Sequence, residues 1–136
     1  MPFETPPLIA GDNIRTHRFI KLSAAADHTA LEANAGEMTI GITTGASREA
    51  PQDGANTYAA LSASGDSFEW RTPGQVALLQ LDTSGCAAND LLMSDADGLG
   101  DVAEDGNFVG AVALEAIGNS EIGEVLILSP FYLENT

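Results

Sequence analysis

The stretch Asn89–Leu128, NDLLMSDADGLGDVAEDGNFVGAVALEAIGNSEIGEVLIL, decides the fold class. Short apolar runs alternate in it with turn-forming clusters at regular intervals. Leu91-Leu92-Met93 leads into Asp95-Ala96-Asp97-Gly98, and Val102-Ala103 leads into Glu104-Asp105-Gly106-Asn107. Phe108 to Leu114 leads into Gly118-Asn119-Ser120, and Val125 to Leu128 closes the series. Asp-Gly between apolar runs is a strong hairpin signal, because a primed turn needs positive φ at its centre and Asp-Gly adopts it readily. The stretch predicts a compact antiparallel β-meander. It contains no His and its only sulfur is Met93, so it reads as a shape-holding element.

Upstream, the same alternation continues. Ile14–Ala24 is strand-like, and Thr29–Ala33 and Met38–Thr43 are expected to form a hairpin about Asn34-Ala35-Gly36. Met38, Ile40 and Ile42 alternate with Thr39, Gly41 and Thr43, the period of a half-buried strand. Tyr58–Ser62, Ser67–Arg71 and Gln75–Leu81 are further strand candidates, the last expected at the centre of a sheet. Gly45–Asn56 reads as a long polar loop. Ala111–Ile117 has helical propensity, but Gly110 and Gly118 bracket it and a strand ending near Glu115 is the preferred reading. About nine or ten short strands with Gly-rich turns make an all-β barrel or sandwich. Residues 1–13, with Pro2, Pro6 and Pro7, read as an extended N-terminal arm, and residues 14–136 as a single β domain.

A chain of 136 residues is long enough for one domain with its own core. Aromatic residues are only 6%, so that core is expected to be light. Five basic against 20 acidic residues give a net charge of −15, which repels nucleic acid phosphates and keeps copies apart until a specific contact forms. Arg15, Arg18 and Lys21 are three of the five cations; after Leu22 only Arg48 and Arg71 are positive. This basic segment is either a solvated strand edge or an arm that docks on an acidic partner.

Cys86 is alone, so no internal disulfide staples the chain. The N-terminal residues lack the basic and apolar regions of a signal peptide, and no apolar run approaches the roughly 20 residues that span a bilayer. The expectation is a chain made and folded in a reducing cytoplasm, without a membrane partner.

Two constellations invite chemistry. Leu79-Gln80-Leu81-Asp82-Thr83-Ser84-Gly85 approaches the aspartic peptidase signature, in which two chains each supply one carboxylate of a proton-sharing pair. An extra residue separates Asp82-Thr83 from Gly85, and a polar turn is the plainer reading. Asp95, Asp97 and Asp101 suggest calcium, but Leu99 and Gly106 occupy positions where an EF-hand loop needs oxygen ligands. His17 and His28 have no zinc-ligand spacing, and no His–Cys or His–Ser pair is locally arranged for nucleophilic catalysis. Cys86 reads as a small filler and Trp70 as a core anchor rather than an interface aromatic. No catalytic residue, cofactor or metal ligand is assigned.

The order of elements resembles the capsid decoration, or cement, proteins of tailed bacteriophages. Phe19-Ile20-Lys21-Leu22 is followed by Met38-Thr39-Ile40-Gly41-Ile42-Thr43, similar to that family's apolar-Gly-apolar-Thr element. Gly74–Leu78 stands where members have a strand after a short turn, and Asn89–Gly98 is similar to their Gly-Asp-x-Leu…Asp-Gly turn, with Asn89 replacing the usual Gly. Val109–Ala116 is similar to their Gly-x-Ala-Leu-Glu-Ala strand, and Gly123-Glu124-Val125 leads to the last one. The resemblance covers residues 14–130, with the long loop Gly45–Asn56 as a departure.

It implies a small antiparallel β-barrel or β-tulip-like domain and a non-enzymatic head-stabilising role. It further implies a homotrimer on the outer surface of the virion, near three-fold or quasi-three-fold positions, bound to the major capsid protein. Phe3, Leu8, Ile9, Arg15 and Arg18 are the candidate capsid contacts. The rival readings are a dimeric aspartic peptidase-like enzyme using Asp82, and a calcium-binding phage adhesin or fibre domain.

Overall fold

A computed structural model describes residues 7–45, 61–62 and 64–133. In chain order the strands are β1 (Ile9–Ala10), β2 (Ile14–Arg15), β3 (Phe19–Leu22), β4 (Thr29–Glu32), β5 (Gly41–Gly45) and β6 (Leu61–Ser62). They continue with β7 (Glu69–Arg71), β8 (Val76–Gln80), β9 (Leu91–Ser94), β10 (Gly100–Val102), β11 (Phe108–Ala113) and β12 (Ile122–Tyr132). The fold is all-β, with no helix among the described residues. A first sheet runs β1-β4-β3-β5-β7, a second runs β10-β9-β11-β12-β8, and β2 pairs with β6 in a small third. Between the named strands all pairings are antiparallel except β1 with β4.

The two large sheets pack against each other. Phe19 and Ile42 of the first meet Leu79, Leu92, Ala111, Val125 and Ile127 of the second in one buried cluster. Removing each large aliphatic side chain from water contributes about 1.5–3 kcal/mol. Adjacent strand residues point to opposite faces, so Ile20, next to Phe19, serves a second cluster with Ala30, Trp70, Leu8, Ala10 and Ile14. The first sheet is therefore covered on both faces. Trp70 is a core anchor, as its sequence context suggests.

With so few aromatics, close backbone approach replaces bulk. A side chain at Gly110 would run into Thr39 and the Phe19 ring, so glycine lets that ring lie against β11. The β11–β12 register also shifts there, between Val109 and Ala111.

Three local expectations change. Thr29–Ala33 and Met38–Thr43 do not form a hairpin, because β3 lies between β4 and β5 and pairs with both. The reason is burial: Phe19 and Ile20 are both fully enclosed, which suits an inner strand. Gln75–Leu81 supplies not a central strand but the edge strand β8, whose apolar character comes from stacking under the first sheet. The C-terminal stretch is an antiparallel sheet but not a simple meander, since β9 separates β10 from β11. Asp95–Gly98 does make the tight β9–β10 connection, with Asp95 accepting the N–H groups of Asp97 and Leu99 at 2.8 and 2.9 Å.

Candidate docking surface

The basic N-terminal segment engages its cations with partners within the fold. Arg15 donates to Glu32 through Nε at 3.1 Å and Nη2 at 2.9 Å, and its backbone N–H reaches the same carboxylate at 2.7 Å. That hydrogen bonding holds the Arg15 guanidinium above its ordinary pKa. Lys21 donates to both oxygens of Glu37, at 2.7 and 3.0 Å, and draws the Glu37 carboxyl below the usual carboxylate range. Arg18 is 6% exposed and donates through Nη1 to the Asp97 carbonyl at 3.1 Å. Burial, then repulsion from Arg15, lowers its pKa. Its Nε has no hydrogen-bond partner.

The candidate contact residues therefore separate by position. Leu8 is 4% exposed and belongs to the second core cluster. Ile9, one residue on, is 46% exposed on the edge strand β1. Arg15 is partly exposed but ion-paired, and Arg18 is enclosed. Phe3 lies outside the described residues, as does nearly all of the loop 45–56. Pro7 ends the proline-rich part, and from Ile9 the chain is held by hydrogen bonds: Ile9 N–H to His28 O at 2.9 Å, Ala10 N–H to Asp66 O at 2.8 Å. Leu8–Ala10 are thus packed into the β domain.

A second surface, on the outer face of the second sheet, was not singled out by sequence. Val76 on β8 stands opposite Leu126 on β12, which stands opposite Val112 on β11. In the neighbouring row Leu78 stands opposite Glu124, whose carbonyl accepts the Leu114 N–H at 3.1 Å. Val76 and Leu78 are each 44% exposed, and Leu114 and Ile122 are exposed too. The readable signal was there in QVALLQL, which is apolar at both alternations although one face of an edge strand meets solvent. Where this face meets the first sheet, His17, Thr44, Arg71, Val76, Ala77, Leu78 and Glu124 line an open depression of about 460 Å³. Neither Arg71 nor Glu124 forms an ion pair among the described residues.

Of the chemical candidates, Asp82 and Asp101 adjoin, but the set forms no common site. Asp82 accepts the Ser84 N–H at 2.9 Å and shapes a turn. It also lies beside Asp101, whose carboxyl is raised first by burial and then by the Asp82 charge. Asp95 is engaged in its own turn, and no group of three or more metal-binding side chains occurs among the described residues. His17 and His28 are on separate segments, both with left-handed backbones, φ 61 and 53. Burial pushes the His17 pKa down, and its Nδ1 has no partner. Cys86 pairs through its backbone with Ile117 at 2.9 and 3.0 Å; burial raises its thiol pKa, making it a poor nucleophile.

No protein-family model matches the chain, and no curated protein matches its sequence. Among solved structures, the base of the N-terminal part of the head fibre protein gp8.5 of bacteriophage phi29 has a similar fold. The superposition has a TM-score of 0.60 at 17% identity and covers 90% of this chain and 91% of that one. Nearly the whole of each chain follows the same path.

Proposed function

We propose that the chain is a non-enzymatic structural protein of a phage head, attached to the outer surface of the mature capsid. There it stabilises contacts between major capsid protein subunits, as a homotrimer at three-fold or quasi-three-fold positions. The observation that carries this reading is the shared fold with a head fibre base over about nine-tenths of both chains. Its net charge of −15 suits a protein outside the DNA-filled interior. Ile9, Arg15 and Phe3 are the proposed contacts with the shell. Leu8 and Arg18, enclosed by the fold, fix the segment that presents them.

A second reading follows from the same likeness: a base that attaches a fibre to the head without reinforcing it. The two separate in one experiment. Purified protein is added to expanded heads lacking it, and bound copies and head melting temperature are measured. A cement protein binds and raises the melting temperature; a fibre base binds and leaves it unchanged. Failure to bind removes both.

A further inference from the structure

We propose that the free edge of β8 is a peptide-docking site, which takes up an extended basic segment of a partner protein as an added strand. The inference concerns the isolated protein and does not depend on the capsid reading.

The register leaves this edge open. Ile127 donates to the Gln75 carbonyl and Leu81 to the Glu121 carbonyl, each at 2.9 Å. The odd-numbered residues of β8 therefore face β12, and Val76, Leu78 and Gln80 turn their backbone groups the other way. The Gln80 N–H is taken by the His17 carbonyl, and the His17 ring lies against the Leu78 carbonyl. Both backbone groups of Val76 and the N–H of Leu78 have no hydrogen-bond partner among the described residues. They border the depression between the sheets, where an added strand has room.

The other edges are guarded. β10 is three residues long and carries Asp101, and β7 carries Glu69 and Arg71. β1 is closed by the bridge from Ile9 to Ser67. Val76–Gln80 has neither a charge nor a proline, the usual devices that keep an edge from pairing. An exposed edge without them is a template for another strand.

Charge identifies the occupant. No Lys or Arg follows Arg71 in the sequence, so the second sheet is built without either. Glu115, Glu121 and Glu124 are all exposed, and the Glu115 carboxylate accepts the Glu124 N–H at 2.9 Å. A second copy offers its own β8 edge, which has no base to set against these acids. A basic segment is attracted from a distance and held on contact.

Side-chain direction then places the base. Successive residues of the added strand point alternately outward and inward. Outward, beside Leu78, a Lys or Arg stem lies over apolar surface while its head reaches toward Glu124, the cross-strand neighbour of Leu78. Inward, the next residue meets the wall of the depression formed by Thr44 and Arg71, where a cation is repelled. The site thus selects a strand with apolar residues and a base on one face and small neutral residues on the other.

Amide exchange and chemical shifts of the isotope-labelled full chain test this, with the capped peptide Ser-Val-Ser-Arg-Ser-Val-Ser as probe. That sequence reads the same in both directions, so it fits a parallel or an antiparallel strand. In the free protein the Val76 and Leu78 amides are expected to exchange about tenfold faster than those of Ala77 and Leu79, or more, at every protein concentration. The peptide is expected to shift and protect both, with an affinity that falls as salt rises. Replacing its Arg by Glu is expected to weaken binding about tenfold, and Glu124→Gln in the protein about threefold. Val76→Pro removes an outward N–H without touching the β12 ladder, and is expected to abolish binding and keep the circular dichroism spectrum. If that variant misfolds, Glu124→Gln and the peptide comparison still decide. Slow exchange at Val76 and Leu78 in the free chain overturns the proposal, because the edge is then already covered; if dilution releases it, the cover is a second copy. No binding at millimolar peptide overturns it too, as does binding indifferent to the change from Arg to Glu. No heads enter these measurements, so capsid binding is judged separately.

Discussion

The carbonyl of His17 accepts the N–H of Gln80 at 3.0 Å, and in doing so ties the first sheet to the edge of the second. On its other side the His17 N–H donates to the Thr43 carbonyl at 2.8 Å. Residue 17 makes both bonds with a left-handed backbone, φ 61. A branched side chain is strained in that conformation and glycine is not. His17→Val is expected to be about 1–2 kcal/mol less stable than His17→Gly, read from denaturant midpoints. Equal midpoints would show that the left-handed turn is not held in solution.

Gly41 lies close against the backbone and ring of β7. A methyl group there would collide with the Arg71 carbonyl and with the indole ring of Trp70. Backbone cannot swing aside as a side-chain tip can. Gly41→Ala is expected to destabilise by about 2 kcal/mol or more. Gly65→Ala, where a Cβ would meet nothing but φ is 89, should show only the backbone penalty of about 1 kcal/mol. The ranking, measured by thermal unfolding, is the test.

Asp101 couples stability to pH. Its carboxyl is held above the ordinary 3.8, by burial first and by Asp82 second. The folded state therefore prefers the protonated acid, and this group's contribution falls as pH rises from the unfolded value through the folded one. Above that window the charged form weighs against folding. Asp101→Asn, which keeps an oxygen for the Val102 N–H, is expected to melt higher than the parent at pH 7. The gap should close as pH falls below about 4, where the parent is protonated as well. A gap that widens on acidification would contradict the assignment.

Glu32 satisfies three donors of Arg15, the backbone N–H among them. Removing the carboxylate leaves a part-buried backbone donor without its acceptor. Glu32→Ala is expected to lose about 1–2 kcal/mol, at the low end for charged hydrogen bonds because Arg15 is partly solvated. Glu32→Gln, retaining one acceptor oxygen, should lose less. Urea titration of the three proteins orders them.

Sequence periodicity carried the fold class and the strands from β7 onward, because Asp-Gly and Pro-Gly turns punctuate them clearly. It did not carry partnership. Nothing in Met38–Thr43 says that β5 pairs with β3 rather than with β4, since pairing depends on which strand is buried on both sides. The left-handed turn at His17 escaped notice for a related reason: a left-handed residue that interrupts Ile14–Ala24 is not glycine and leaves no mark in composition. The proposed docking site was the least legible part. Arg15, Arg18 and Lys21 looked like free cations, but their partners Glu32, Asp97 and Glu37 come from elsewhere along the chain. Leu8 and Ile9 differ by one residue and by the whole thickness of a strand, a distinction only the β1–β4 pairing makes.

Enclosure of β3 on both sides removes a safeguard that most half-buried strands possess. Sliding such a strand by one residue ordinarily throws its oily side chains into water, so polarity enforces alignment. Here the slide would exchange Phe19 for Ile20 and keep both dry. Alignment must instead be read from volume: the Phe19 ring fits only where Gly110 leaves room for it, and Ile20 fits the shallower space beside Trp70. In this chain, glycine spacing does the proofreading that hydrophobic patterning does elsewhere.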